Sequence, residues 1–298
     1  MTNTGSAIDT DLSRFLDQVS GRVSAALSAW LPDPAGDELA QAMAHIVFSG
    51  GKRLRPALVE LGCLHVGGRP EQALAPAVAV ELIHAYSLVH DDLPCMDDAE
   101  LRRGKPCVHV LWGEAMGVLA GDALLTLAFE VLGRHALPGA PVADMLVTLG
   151  AAAGQAGMVG GQVDDLAAEG GPVDTEQVRR IHLGKTAALI SGSLRVGAQA
   201  GGGTDQQVAT LEQAGTDLGL AFQITDDLLD VEGDAALLGK AAGADAQADK
   251  ATWPAAVGAE QARADATALV RRAQDAVRGG PQEALLVALG QHILARSH

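Results

Sequence analysis

The sequence predicts an all-α fold, a single large helical bundle in one domain over residues 1–298, and three observations carry that expectation. The 48% hydrophobic content is mostly Ala, Leu and Val, with few β-branched runs. Strand-like alternation of apolar and polar residues is almost absent. Glycine- and proline-bearing breaks at 31–36, 66–71, 137–141, 169–174 and 200–205 cut the chain into helix-length segments. None of these breaks is long enough for an interdomain linker, and no repeat of roughly 20–50 residues is present. About ten helices around one core are therefore expected.

In chain order, the first chemical signal is GGKRLRP at 50–56, which places Lys52, Arg53 and Arg55 within one turn. LRRGKP at 101–106 adds Arg102, Arg103 and Lys105, so six of the 21 basic residues fall in two short stretches of a chain with formal charge −16. Arginine forks match phosphate oxygens and lysine supplies a point charge, although either run alone also reads as ordinary surface charge. Between the two runs an apolar helix carries His84, which either caps the core or joins Lys52 and Arg55 in a diphosphate pocket. That helix ends in DDLPCMD at 91–97. Pro94 cannot continue the helix of Asp91 and Asp92 without losing a backbone hydrogen bond, so Asp97 is expected to fold back from a bulge.

Residues 145–163 carry no charge, but five glycines and two glutamines make them a poor membrane span, and a helix buried in the core is expected. Asp174, followed by Thr175, Glu176 and Gln177, resembles a capping box opening a helix that runs to about Arg195 and carries Lys185 and Thr186. GKT at 184–186 is not a P-loop, because GxxxxGKT needs glycine where this chain has Arg179. Lys185 is instead placed to lean into a cleft. DDLLD at 226–230 puts Asp226 and Asp230 four residues apart, about 40° around a helix, with Asp227 beside them and Gln223 one turn earlier. A single such cluster reads equally as a solvated helix end. Two, each after an apolar run, point to a deep apolar cleft with a charged mouth, and hard oxygen ligands suit Mg²⁺, which bridges carboxylates to phosphates. The tail from Gly258 to His298 has helical spacing and is expected to serve packing and dimer support.

The acidic charge argues against nucleic acid or an anionic membrane as partner, and no stable membrane insertion is expected. Cys63, Cys95 and Cys107 show no CxxC spacing, and MTNTGSAIDTDL is polar and acidic where a signal peptide is basic and then apolar. A cytoplasmic location is expected.

The combination of GGKRLRP, the first aspartate motif with LRRGKP after it, GMVGGQ at 157–162, GKT and FQITDDLLD at 222–230 resembles bacterial farnesyl diphosphate synthases of the isoprenyl synthase family, in the family's order. The resemblance implies the isoprenoid synthase fold, an all-helical homodimer around a central cavity. It implies that Asp91, Asp92 and Asp97 bind Mg²⁺, or Mn²⁺, from one wall and Asp226, Asp227 and Asp230 from the other. Lys52, Arg55, His84 and Arg103 would hold isopentenyl diphosphate. Arg102, Lys185, Thr186, Gln223 and Lys240 would contact the allylic diphosphate. Asp91, Asp92, Arg102, Lys185 and Asp226 would carry the catalysis, an ionisation, condensation and elimination. Cys107, Trp112 and Trp253 depart from the usual residues without touching that chemistry.

Tyr86 precedes Asp91 by five residues, roughly 7.5 Å along a helix. In the resembled family a bulky residue here accompanies a fifteen-carbon product and a small one a longer product. Ser87 lies closer to Asp91 around the helix, so Tyr86 is either the cavity floor or flank packing. Geranylgeranyl diphosphate synthase is the main alternative. A class I terpene cyclase would want more aromatic rings than three Trp, one Tyr and four Phe to steady cyclic cations. A non-catalytic subunit would be expected to lose an aspartate cluster or the cations, and both are intact.

Overall fold

Helices start and stop where the glycine and proline breaks place them. The computed structural model describes residues 4–171, 174–232 and 251–295, which form fourteen α-helices, one π-helical segment and one short hairpin. In order these are α1 (Thr4–Trp30), α2 (Glu38–Val47), α3 (Leu54–His65), α4 (Pro70–Asp91), strands β1 (Leu101–Arg102) and β2 (Lys105–Pro106), α5 (Val108–Trp112), α6 (Glu114–His135), α7 (Val142–Ala153) and α8 (Met158–Ala168). Then come α9 (Thr175–Ile181), the π segment His182–Ala187, α10 (Ala188–Ala200), α11 (Asp205–Glu232), α12 (Trp253–Val257), α13 (Ala259–Ala276) and α14 (Glu283–Ala295). The excess over ten comes from the short α5 and α12 and from divided segments.

Local chemistry explains the boundaries. Asp37 accepts from the Ala40 N–H at 2.7 Å and caps α2. Pro70 opens α4, and Gln72 Oε1 accepts from the Arg69 N–H at 2.9 Å. Helix α4 is the spine of the bundle: it packs on α3, α6 and α10, and Leu82 and Ile83 are wholly buried, each worth roughly 1.5–3 kcal/mol. One contiguous hydrophobic core runs from Leu12 on α1 to Ile293 on α14.

Two expectations change, and one basic motif takes a shape that the sequence left open. The 145–163 stretch is not one buried helix: it breaks between α7 and α8 at Gly154–Gly157, and Val147 and Val163 are 72% and 60% exposed. The helix opened by Asp174, which accepts from the Glu176 N–H, continues past Arg195 to Ala200 but passes through the π segment. LRRGKP forms a hairpin, with Arg103 and Gly104 both at positive φ, the backbone that a tight two-residue turn requires. By length and composition alone, α4, α6 and Val142–Ala168 are each long and apolar enough to cross a membrane; 78% of the apolar run of α4 is buried in the fold, against 39% for the other two.

Candidate active site

The first aspartate motif begins at the C-terminus of α4, and the chain turns back as Pro94 dictates. The Asp97 N–H donates to Asp91 O at 2.9 Å, and the Ala99 N–H to Asp92 O at 3.2 Å. This returns Asp97 to the side of Asp91. Asp91 and Asp97 line a cleft of about 280 Å³ together with Asp226 and Asp227 from α11, Lys185 from the π segment and Arg102 from β1. The two clusters therefore form facing walls. Asp92 and Asp230 are buried and do not line the cleft. Asp92 instead accepts from Arg102 Nε at 2.7 Å and from the Cys107 thiol, which burial and that bond push up to about 12.

Asp227 is already well used. Its Oδ2 accepts from the Trp253 N–H at 2.8 Å and lies 3.2 Å from His182 Nε2, and its Oδ1 accepts from Gln223 Nε2 at 3.0 Å. Lys185 Nζ donates to Asp165 Oδ2 at 2.6 Å. Asp91 has its carboxyl pushed up to about 6, chiefly by burial, with Lys185 opposing and Asp97 adding to the rise. A cation or a basic ligand in the cleft relieves that strain.

The hairpin directs its two arginines to different places. Arg102 faces the cleft, while Arg103 faces a second pocket of about 430 Å³ lined by Lys52, Arg55, His84 and Asp226. Arg103 donates to Gly50 O, and a Cβ on Gly51 would meet its guanidinium at 2.7 Å. Glycine at 51 is what lets the two basic motifs dock. Arg53 also borders that pocket, but its guanidinium is withdrawn against Glu81 and donates to Val47 O at 2.5 Å. Arg55 Nη1 lies 3.3 Å from His84 Nε2. Burial and then Arg55, Arg103, Arg102 and Arg53 hold the imidazole well below its ordinary range, so His84 is neutral.

A third, largely apolar cavity of about 550 Å³ lies beneath Asp91, walled by Tyr86, Ser87, Leu93, Val118, Met158 and Leu166 among others. Tyr86 is buried and meets His90 edge-on at 5.8 Å. Thr186 lines the cleft, the cationic pocket and the apolar cavity alike. Two pockets suited to diphosphates thus share a wall with a hydrocarbon-sized space.

A sequence profile described as polyprenyl synthetase matches residues 36–282. The chain belongs to the polyprenyl synthetase family. It is 46% identical over 266 residues to a farnesyl diphosphate synthase of Escherichia coli K12, covering 86% of this chain and 89% of that protein. It is 42% identical over 294 residues to the chloroplastic geranylgeranyl pyrophosphate synthase 12 of Arabidopsis thaliana, covering 96% and 82%. Among solved structures it resembles a Helicobacter pylori geranyltransferase complexed with magnesium and isoprenyl diphosphate, with TM-score 0.81, 32% identity and coverage of 99% and 98%.

As a prenyltransferase of this family, the chain has a site larger than the motifs announced. Lys240 lies outside the described residues. The C-terminal tail does more than pack, since Leu289, His292 and Ile293 of α14 line the cationic pocket. Asp165, the partner of Lys185, follows GMVGGQ by three residues on α8, and an acidic pair after a glycine motif was the available signal. His182, one turn before Thr186, was visible only as a polar residue on an apolar helix. The glycines of GMVGGQ act through backbone contact: a Cβ on Gly161 would meet Lys185 N at 2.0 Å, and one on Gly184 would meet Gly161 Cα at 2.8 Å. Helix α8 and the π segment therefore touch main chain to main chain. Among the described residues no three His, Cys, Asp or Glu side chains stand together as a ready-made metal cluster.

Proposed function

We propose that the chain is a farnesyl diphosphate synthase that condenses isopentenyl diphosphate with dimethylallyl and then geranyl diphosphate, depends on Mg²⁺, and works as a cytoplasmic homodimer. The observation that supports this reading is the meeting of three cavities at Thr186. The allylic diphosphate takes the acidic cleft, its hydrocarbon tail the apolar cavity, and isopentenyl diphosphate the pocket of Lys52, Arg55 and Arg103.

The donor set fits a divalent cation that shares its ligands with substrate. Asp91, Asp97, Asp226 and Asp227, which line the cleft, would hold Mg²⁺ (or Mn²⁺), with phosphate oxygens and water completing the shell; when bound, it neutralises charge on the leaving diphosphate. Asp92 and Asp230 would then act from behind the cleft wall. Lys185 and Arg102 face the same leaving group and stabilise the charge that develops as the allylic carbon–oxygen bond ionises. The isopentenyl double bond attacks the resulting carbocation from the adjoining pocket. His84, held neutral and weakly basic, is a poor proton acceptor, so the departing diphosphate takes the final proton. The apolar walls exclude water, which would quench the cation.

Tyr86, buried on the cavity wall below Asp91, is proposed as the limit at fifteen carbons, in line with the name of the E. coli relative. Geranylgeranyl diphosphate synthase is the second reading: Ser87 gives the same wall a small side chain, and the Arabidopsis relative carries that name. Incubating purified protein with Mg²⁺, labelled isopentenyl diphosphate and each allylic primer, then sizing the products, separates the two. Tyr86→Ala should yield chains longer than the wild type. Only farnesyl diphosphate from that variant would remove Tyr86 as the limit, and no elongation with any primer would sink the enzymatic reading.

A further inference from the structure

His182 has no place in the reaction as proposed, yet it is the first residue of the π segment and is buried against Asp227. Four side chains stand in one polar chain there. Thr186 Oγ1 donates to Gln223 Oε1 at 2.7 Å, Gln223 Nε2 donates to Asp227 Oδ1 at 3.0 Å, and His182 Nε2 lies 3.2 Å from Asp227 Oδ2. His182 and Thr186 are four residues apart on the π segment, and Gln223 and Asp227 are four apart on α11, so the two elements are bridged twice. With Nε2–H donating, every contact of this chain runs toward the Asp227 carboxylate, which fixes the plane of its two oxygens.

Packing alone does not require an imidazole here. The ring stacks on Trp253 with centroids 5.9 Å apart and an interplanar angle of 26°, a contact that a phenyl ring would also make. The imidazole Nδ1 is buried without a hydrogen-bond partner among the described residues, a cost that a phenyl ring would avoid. What the imidazole adds is the contact to Asp227.

We propose that His182 is a positioning residue for the second aspartate cluster, holding the Asp227 carboxylate in the orientation in which the cleft receives a cation and a diphosphate. The inference rests on the function proposed above. Groups that orient a ligating side chain are commonly worth ten- to hundred-fold in metal affinity.

The test uses the full-length protein with Mg²⁺ and inorganic diphosphate as probes. His182→Phe keeps the stack on Trp253 and should leave the circular dichroism unchanged, while weakening Mg²⁺-dependent diphosphate binding in calorimetry about ten- to hundred-fold. The KM for isopentenyl diphosphate, whose pocket His182 does not line, should stay within about two-fold. His182→Gln, which retains a donor, should recover part of the loss. Wild-type diphosphate affinity in His182→Phe overturns the proposal, as does a folded His182→Gln no better than His182→Phe. Should His182→Phe not fold, nitrogen-15 histidine spectra of the wild type decide. A slowly exchanging Nε2–H that shifts when Mg²⁺ and diphosphate are added supports the role, and an unshifted or absent one defeats it. These binding and spectral readouts need no turnover, so a wild type without prenyl transfer would overturn the proposed function and leave the His182 result standing.

Discussion

Burial pushes the Asp91 carboxyl from 3.8 up to about 6, with Lys185 opposing and Asp97 adding to the rise. Because the folded value lies above the unfolded one, the native state binds more protons between about pH 4 and 6. The contribution of Asp91 to stability is greatest below that window, falls as pH rises through it, and stays lower at neutral pH. Asp91→Asn removes the ionisable group and should therefore stabilise the ligand-free protein at pH 7.5, by on the order of 3 kcal/mol for a shift of about two units at about 1.36 kcal/mol per pKa unit. It should do little at pH 3.5. Thermal melts at the two pH values check this, and an equal shift at both would show that packing rather than charge is at work. The same variant should lose most prenyl transfer, the pattern of a side chain kept for chemistry at a cost to the fold. Pro94 made the fold-back of Asp97 legible, because a residue without an N–H removes a backbone hydrogen bond just past the end of α4. The withdrawal of Arg53 was not legible, since its partner Glu81 lies 28 residues away and no local spacing joins them.

At the scale of elements, the breaks in the sequence marked the loops well, because glycine and proline act on their own backbone. The π segment escaped that reading. One extra residue in a helical turn leaves no mark in a stretch as small-sided as LGKTA, and the contact that accompanies it lies between Gly161 and Gly184, elements apart in sequence. Gly161→Ala drives a methyl into Lys185 N, 2.0 Å from the built Cβ. Main chain cannot rotate aside, so the variant should lose at least about 1–3 kcal/mol, as overpacking does. It should also displace Lys185 and Thr186, lowering kcat/KM ten-fold or more. Gly21→Ala is the control: it sits inside α1 with nothing within 4 Å of its built Cβ. It should gain about 0.5–1 kcal/mol, because alanine gives up less backbone entropy in a helix. Denaturant melts of the two variants moving in opposite directions would separate backbone contact from helix propensity. A neutral Gly161→Ala would refute the account of the α8 contact.

For the molecule as a whole, composition was enough to predict the helical class, yet it could not show which apolar residues stay outside the core. Val110 and Leu111 of α5 and Val118 and Leu119 of α6 are 50%, 47%, 43% and 55% exposed. Exposed apolar side chains on two helices packed together suit an interaction face, and Val118 also walls the cavity that would hold the growing chain. A second copy seated on α5 and α6 would cover that face and close the side of the cavity in one step, which argues for the proposed homodimer on physical grounds. Leu119→Glu places a charge among these exposed side chains while leaving the buried residues of α6 in place. Light scattering after gel filtration should give the wild type about twice the chain mass of 30.4 kDa and the variant the single-chain mass. With the cavity side opened to water, the variant should also release shorter products or hydrolysed primer, because water reaching the cation ends elongation. A wild type that runs as a single chain would assign the exposed α5–α6 face to some other contact. A variant that stays dimeric would move the interface to the other exposed apolar stretch, Val147, Val159 and Val163 on α7 and α8, where Val163→Glu is the corresponding test.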